Sequence, residues 1–419
     1  MHVTASGIGV IIGAGIYILI GPATAEAGAM VWASMLLAGG LCALTAFSYM
    51  ELTSMFPRAG SEQEYARQVF PDWVSFATGW SMTMALIIAS GAVALGFANY
   101  LNVFVEINTK VAALLLLGLV YVLAITGMQH ARWVIIALST VQIAGLLIVI
   151  VIGAPRIGDV NLLEGNGLAG LFGGAAVIFF AYIGFDEVIT LAEETHDPRR
   201  TVPRALLLAL LISTVLYVLV AIVAVSVLGP SLLAVSQQPL TDVMRETWGN
   251  TAVQVVAAIA LASTANTTLL ATTAASRMMY SMSETDMLPK RFGAVHNMHS
   301  PRLAIGISVA ISAVISLSGG IEVLAEATNA LIYVMFLMVN TVVIILRKQR
   351  PHTPRPFRIW GSIGGVPVIP AMGFVATFTL SFQLERASLV VAIGFIGAGI
   401  IVYFIGRGIQ SNRSGTMGV

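Results

Sequence analysis

The sequence predicts an all-α polytopic membrane protein with twelve transmembrane helices. Composition is the first reason: 58% of the residues are hydrophobic, only 10% are charged, and the mean hydropathy is +0.91. A soluble domain of this length does not require so much apolar surface. The second reason is that the charged residues leave long uncharged stretches between them. The third is that the basic residues are distributed unequally between the two sides that these stretches define.

A helix needs about 20 apolar residues to cross a bilayer. We therefore searched for stretches without Asp, Glu, Lys or Arg. Twelve such stretches cover residues 1–25, 27–50, 73–105, 111–131, 133–155, 165–185, 205–241, 247–276, 303–321, 327–346, 359–384 and 387–406. No extended soluble segment separates them, so residues 1–419 are expected to form a single transmembrane domain.

The basic residues predict the orientation of the chain. If the N-terminus is cytoplasmic, the loops on the outer side of the membrane contain only Lys110, Arg156, Arg245 and Arg386. The loops and termini on the cytoplasmic side contain the other 17 of the 21 Lys and Arg residues. Cytoplasmic loops carry an excess of Lys and Arg. Both termini are thus expected in the cytoplasm, with the protein in the plasma membrane. The net charge of +1 gives no reason to expect a nucleic-acid partner.

The first stretch contains closely spaced glycines, including Gly13-Ala14-Gly15. Their spacing mimics a nucleotide-binding loop, but no strand precedes it and apolar residues continue on both sides, so that interpretation is rejected. Small residues allow close helix packing. They also create a weak point at which a helix can open.

The sixth stretch has no charged residue between Glu164 and Asp186. It ends at two consecutive acids, Asp186 and Glu187. A carboxylate inside a membrane helix costs a few kcal/mol, so it usually faces protein or a water-filled cavity. A helix broken at Gly184 would expose backbone N–H and C=O groups, which is tolerable only where they line a cavity or meet a ligand. Alternatively, Gly184 only permits close packing and Asp186 lies at the membrane interface.

The two expected breaks lie five stretches apart. This spacing predicts two inverted repeats, residues 1–155 and 165–346, followed by two peripheral helices in residues 359–408. A discontinuous helix in each repeat places a substrate near the middle of the bilayer. Helix N-termini present N–H groups to a carboxylate, and exposed carbonyls attract a cation. A zwitterionic amino acid needs both.

Several motifs, spread over nearly the whole chain, carry a family resemblance. They are Gly9–Tyr17, Phe179–Asp186 with Glu193-Glu194, Pro198-Arg199-Arg200, Pro203-Arg204, Ser276–Met282 with Leu288-Pro289, and Arg347 with Pro351 and Arg355–Arg358. In these motifs the chain resembles an amino acid permease of the amino acid–polyamine–organocation superfamily, near its cationic amino acid transporter branch.

The resemblance implies a leucine-transporter-like fold and a secondary active transporter that works by alternating access, not an enzyme. It implies that the amides of Gly13, Ala14 and Gly15 hold the substrate carboxylate. It also implies that the carbonyls of Phe180, Ala181 and Ile183 hold the amino group, with Ile12, Tyr182 and Phe185 near the pocket or gate.

The sequence departs from the family pattern at two positions that bear on ion coupling. Gln142 stands where some proton-coupled relatives have lysine, and Ala85 stands where cationic-branch relatives have an acid. Glutamine cannot take up a proton at physiological pH. Asp186 or Glu187 could carry a proton instead, because desolvation raises the pKa of a carboxyl group.

Sodium is the other coupling ion left open. Ser263 and Thr264, with carbonyls near Val10, offer hard oxygen ligands, although helix–helix hydrogen bonding explains the same polar run. Exchange of substrates without any ion also stays open. No cofactor is expected.

The missing acid at Ala85 favours neutral amino acids or a broad range of them over arginine or lysine. The alternatives are an amine or polyamine permease, which would need more acids in its pocket, and an amino-acid-sensing transceptor, which would be expected to carry a soluble tail or partner domain. An integral-membrane enzyme would need an acid–base or metal constellation that the sequence does not offer.

Overall fold

The computed structural model describes residues 2–56, 62–126, 131–185, 198–294 and 301–415. Helices dominate the described residues. The strands there form a single antiparallel hairpin, β1 (Ser362–Ile363) with β2 (Val366–Pro367). This agrees with the predicted all-α class.

The helices of the first half are α1 (His2–Ile11), α2 (Gly15–Ala27), α3 (Val31–Met55), α4 (Glu62–Arg67), α5 (Asp72–Leu101), α6 (Thr109–Ile125) and α7 (Ala131–Gly153). Those of the second half are α8 (Gly167–Ile178), α9 (Pro198–Val235), α10 (Pro239–Trp248), α11 (Asn250–Glu284), α12 (Arg302–Ser318), α13 (Ile321–Gln349), α14 (Val368–Ser381) and α15 (Arg386–Gly415). Short 3₁₀ turns cover Ala154–Arg156, Phe179–Tyr182 and Lys290–Gly293.

Seven segments of the described chain are long and apolar enough to cross a membrane: Val31–Met55, Asp72–Leu101, Ala137–Arg156, Thr201–Val235, Asn250–Glu284, Ile321–Gln349 and Arg386–Gly406. Four shorter apolar helical segments accompany them: Thr109–Ile125, Gly167–Tyr182, Arg302–Ser318 and Val368–Ser381. Every uncharged stretch of the sequence coincides with a helix or an interrupted helix. The protein is therefore an integral membrane protein built from apolar helices.

Helix α5 lies at the centre of the fold. Its most apolar window is 94% buried, and it packs mainly against α11 and α13. Small and hydroxylated residues allow these close approaches. Ser90 is 3.0 Å from Thr272 of α11, and Ser312 of α12 donates a hydrogen bond to the carbonyl of Ile87 at 2.8 Å. A side chain at Gly96 would collide with Ile18 of α2.

The helices next to the two breaks pack mainly on one another. Helix α2 contacts α8 and α9, α1 contacts α9, and α3 contacts both α8 and α9. Helix α9 bends at Gly229, which has φ of +74° and precedes Pro230. Helix α9 thus contacts both sides of the first interruption, and α3 contacts α2 and α8.

The end of α3 differs from the boundary that the charge criterion set. The second uncharged stretch ends at residue 50, yet α3 continues through Glu51 to Met55. A buried carboxylate can lie inside a helix when its charge is neutralised by partners. Glu51 is only 1% exposed and pairs with Arg347 of α13.

Candidate functional site

The first helix is interrupted at Ile12–Ala14, between α1 and α2, where the glycine-rich sequence predicts a weak point. The amide of Ile12 still bonds to the carbonyl of Ile8, but those of Gly13 and Ala14 are diverted from the helical pattern. Gly13 donates its N–H to the carbonyl of Ile11 at 2.8 Å, and Ala14 donates its N–H to Oγ1 of Thr267 at 3.0 Å. Helix α2 then starts at Gly15. The N–H groups of Tyr17 and Ile18 bond to the carbonyl of Ala14 at 3.0 and 3.2 Å. Those of Gly15 and Ile16 lie at the very start of the helix, where an N–H group has no carbonyl partner within its helix and can meet a ligand.

The second interruption follows α8. The chain tightens into a 3₁₀ turn at Phe179–Tyr182, becomes extended at Ile183 (φ −62°, ψ 140°), and reaches φ of +105° at Gly184. This last conformation favours glycine, which has no Cβ. A Cβ there would also lie 3.0 Å from Cγ1 of Val10. The break therefore falls within the predicted stretch, whereas Asp186 and Glu187 lie outside the described residues.

The two interrupted segments touch. A Cβ added to Gly15 would lie 2.5 Å from Cα of Ala181, closer than real Cβ contacts come. Glycine at position 15 thus lets the start of α2 meet the backbone after α8 directly. The sequence predicts both breaks but not this contact, which depends on how the helices pack.

Tyr217 of α9 joins the two breaks. Its buried hydroxyl lies 2.7 Å from the carbonyl oxygen of Ile11 and 3.0 Å from that of Ala181. A tyrosine hydroxyl has one proton to donate, so the two carbonyls share a single donor. The sequence motifs did not indicate this residue. A tyrosine in an apolar helix does predict a hydrogen bond, since a buried tyrosine hydroxyl usually finds a partner.

A small cavity of about 50 Å³ lies between the breaks. Its lining residues are Val10, Ile11, Gly13, Ala14, Gly15, Leu86, Ala89, Phe180, Ala181, Ile183, Gly184, Thr267, Leu270 and Ala271. None of these residues is charged. The polar groups that they bring to the cavity are backbone groups and the hydroxyl of Thr267.

Most residues predicted to bind substrate line this cavity, namely Gly13, Ala14, Gly15, Phe180, Ala181 and Ile183. Three others lie elsewhere. Ile12 is fully buried in the core. Tyr182 donates its hydroxyl to the carbonyl of Met35 at 2.8 Å and packs edge-on against Tyr217.

Phe185 belongs to an aromatic cluster between α3 and α13 rather than to the cavity lining. Its ring packs edge-on against Tyr49 at 5.6 Å and against Phe336 at 5.5 Å. Phe336 in turn contacts Phe179. These rings fill the space next to the second break and are expected to restrict access to it from that side.

The structure brings together two of the predicted coupling residues. Nε2 of Gln142 lies 3.3 Å from the carbonyl of Ser263. Both side chains are fully buried, and Oε1 of Gln142 and Oγ of Ser263 have no hydrogen-bond partner among the described residues. Thr264 instead donates its hydroxyl to the carbonyl of Ala260 in its own helix, at 2.8 Å.

The described residues also bear on metal ligation. Across the ranges that the structure describes, no group of three or more His, Cys, Asp or Glu residues could hold a metal ion. The polar chemistry of the described site is therefore that of amides, carbonyls and hydroxyls.

Comparison with known proteins identifies the family. The family model described as amino acid permease matches residues 1–406. The chain belongs to this family of amino acid permeases. This confirms the resemblance seen in the motifs, and it makes the protein a membrane transporter rather than an enzyme.

Relatives with similar sequences include transporters with different substrates. The branched-chain amino acid permease BcaP of Bacillus subtilis is 28% identical, over 96% of this chain and 91% of the relative. The methylthioribose transporter of the same organism is also 28% identical over the same shares. The vacuolar cationic amino acid transporter 4 of Arabidopsis thaliana is 29% identical, over 84% of this chain and 63% of the relative.

Proposed function

We propose that this permease is a secondary transporter that moves neutral amino acids with apolar side chains across the plasma membrane by alternating access. The observation that carries the proposal is the direct contact of two helix interruptions around a cavity whose described lining residues carry no charge. Such breaks are characteristic of transporters that bind substrate near the middle of the bilayer.

The two breaks supply complementary ends for a zwitterion. The first turn of α2, beginning at Gly15, presents N–H groups and the positive end of a helix dipole to the substrate carboxylate. The carbonyls of Phe180, Ala181 and Ile183 follow the C-terminal end of α8 and suit an ammonium group. Because Ala181 and Gly15 are in backbone contact, both ends of one small molecule can be held at once.

The side-chain wall supports a neutral, apolar substrate. Leu86 and Ala89 of α5 face the cavity together with Leu270 and Ala271 of α11. A second charge on the substrate would be buried there without a partner, which is costly. An aliphatic side chain would gain by burial. The branched-chain substrate named for the Bacillus relative fits this wall, and an amine or polyamine fits it poorly.

The proposed architecture has twelve transmembrane helices in two inverted five-helix repeats, residues 1–155 and 165–346, with peripheral helices in 359–408 and both termini in the cytoplasm. Its support is the match between the uncharged stretches and the helices, together with the distribution of Lys and Arg. Helix α1 with α2 would form the first span, and α8 would begin the sixth.

Coupling is proposed to be ionic or by exchange, with three arrangements to be separated by experiment. A proton would use Asp186 or Glu187. Sodium would use the hydroxyl oxygens of Ser263 and Thr264 and the carbonyl of Val10. The Thr264 hydroxyl donates its proton to the carbonyl of Ala260, which leaves the lone pairs of its oxygen for a cation. Exchange would use neither ion.

The test is uptake of labelled leucine, alanine, arginine and putrescine into liposomes that contain the purified protein, with proton and sodium gradients imposed separately. We expect leucine to accumulate and arginine and putrescine not to. Leucine uptake only into preloaded liposomes would establish an exchanger. Movement of putrescine alone would overturn the substrate class, and binding without movement of any compound would favour a transceptor.

A further inference from the structure

Thr267 differs from three neighbouring threonines of α11 in how its hydroxyl is used. Thr264, Thr268 and Thr273 each donate their hydroxyl proton to the carbonyl four residues earlier in the helix, at 2.7–2.8 Å. Thr267 makes no such bond among the described residues. Its Oγ1 instead accepts the N–H of Ala14, which lies 253 positions away in the sequence.

This acceptor holds the first break open. In a continuous helix the N–H of Ala14 would bond to the carbonyl of Val10, four residues earlier. Oγ1 of Thr267 replaces that carbonyl at 3.0 Å. The hydroxyl is also tightly placed, because a Cβ at Gly13 would lie 3.0 Å from the same oxygen.

The hydroxyl proton of Thr267 is left for another acceptor. Thr267 is half-buried and lines the cavity between the breaks. A hydroxyl is both a donor and an acceptor, and accepting one hydrogen bond strengthens it as a donor in a chain of bonds. Among the described residues that line the cavity, Thr267 is the one with a side-chain hydroxyl, so it can reach a ligand that the backbone amides of α2 also reach.

We propose that Thr267 binds the substrate directly, donating its hydroxyl proton to the α-carboxylate of the amino acid while it holds the N–H of Ala14. This inference rests on the proposed function and deepens it. It makes Thr267 the side chain by which the site distinguishes a carboxylate from a neutral group, since a hydrogen bond to a charged acceptor is roughly twice as strong as one to a neutral acceptor.

The experiment compares L-leucine with L-leucinamide, which keeps the amino group and side chain but carries a neutral amide in place of the carboxylate. Affinity is measured with the purified full chain by binding of labelled leucine and by competition with unlabelled leucinamide. The variants are Thr267→Val, which keeps the shape and loses the hydroxyl, and Thr267→Ser, which keeps the hydroxyl. Thr268→Val is the matched control, because that hydroxyl is bonded within α11.

Thr267→Val should weaken leucine binding by roughly 10- to 100-fold and leucinamide binding by only several-fold. The preference for leucine over leucinamide should therefore shrink in Thr267→Val, return in Thr267→Ser and stay unchanged in Thr268→Val. If Thr267→Val does not fold, Thr267→Ala provides the same comparison with a smaller side chain.

Two results would overturn the inference alone. The first is a Thr267→Val variant that binds leucine and leucinamide more weakly by the same factor, so that the preference for leucine is unchanged. This result is expected if Thr267 only shapes the break. The second is a Thr267→Val variant that binds leucine as tightly as the unaltered protein does. A different result, no leucine binding by the unaltered protein, would overturn the proposed function and this inference with it.

Discussion

The two helix breaks and the ion cluster around Glu51 handle buried polarity in opposite ways. At the breaks, the described polar groups are backbone amides, carbonyls and two neutral hydroxyls. At the end of α3, a full negative charge on Glu51 accepts hydrogen bonds from Nε of Arg347 at 2.8 Å and from the N–H of Ile359 at 2.9 Å. Nε of Arg355 lies 3.1 Å from the same carboxylate.

The Glu51 cluster fastens the loop after α13 to α3. Arg355 donates hydrogen bonds to carbonyls of Leu346 and Thr353, and Ser54 bonds to the backbone of Phe357. Burial lowers the pKa of the Arg355 guanidinium, while the Glu51 carboxylate works to raise it. Arginine is so strong a base that it keeps its charge at neutral pH.

This difference shows where ionised side chains and where uncharged polar groups are useful in the fold. Ionised groups in a membrane protein are expensive, so they suit a place where partners are fixed and complete. Partial charges on backbone groups need no counterion and can exchange one partner for a ligand. We therefore expect the Glu51 cluster to contribute mainly to stability and the breaks mainly to transport.

The largest effect on stability is expected from Glu51→Gln. Removing this charge leaves Arg347 and Arg355 buried without their carboxylate, which costs about 3–5 kcal/mol. Thermal unfolding of the purified protein should show a clearly lower midpoint. In a double-mutant cycle, adding Arg347→Met to Glu51→Gln should cost less than Arg347→Met alone. An unchanged midpoint in Glu51→Gln would contradict this account of the cluster.

Gly15→Ala is expected to disrupt transport more than stability. The new Cβ would collide with the backbone of Ala181, and overpacking of this kind costs about 1–3 kcal/mol. Because the collision forces the two breaks apart, leucine uptake in liposomes should be lost. Gly40→Ala is the control, since a Cβ at Gly40 meets nothing within 4 Å. Full uptake by Gly15→Ala would show that the breaks need not touch.

Tyr217→Phe removes the hydroxyl shared by Ile11 and Ala181 without changing the ring. The expected loss of stability is about 0.5–1.5 kcal/mol, typical of one hydrogen bond. Uptake should slow because the two breaks are no longer joined. Tyr121→Phe serves as the control, as Tyr121 lies in α6, outside the helices that flank the breaks. Equal uptake rates in the two variants would remove Tyr217 from the mechanism.

The smallest effect is expected from Asp159→Asn. Asp159 lies 2.6 Å from Nε of Arg156, yet both side chains are about half exposed. An exposed ion pair of this kind contributes no more than about 1 kcal/mol. The unfolding midpoint should therefore move little. A drop as large as that of Glu51→Gln would mean that proximity rather than burial decides the strength of these pairs.

Local sequence patterns were sufficient for the all-α class and for the positions of the breaks, whereas the twelve spans and the two inverted repeats stay predictions. Uncharged stretches identify the apolar helices, and Gly13, Gly15 and Gly184 mark places where a helix is easily interrupted. Their partners could not be predicted in this way. Thr267 lies 253 residues from Ala14, and Tyr217 lies 206 residues from Ile11. Such pairs are decided by the packing of whole helices, which a pattern along one segment does not contain.

The same limit applies to Glu51 and to Gln142. A charge in the sequence looks like the end of a membrane segment, but Glu51 lies inside α3 because Arg347 approaches from a helix 296 residues away. Gln142 was singled out by its place in a family pattern, whereas its contact with Ser263 depends on how α7 meets α11. The short helices α4 and α10 contain too few apolar residues to be distinguished in the sequence from the loops around them.

The small volume between the breaks has a consequence for speed. A space of about 50 Å³ holds a few water molecules. Under the proposed alternating access, each substrate molecule waits for helices to move, and collective motions of this kind take microseconds to milliseconds. Flux should level off as substrate concentration rises, as it does for a carrier, whereas an open pore would continue to conduct in proportion to the gradient.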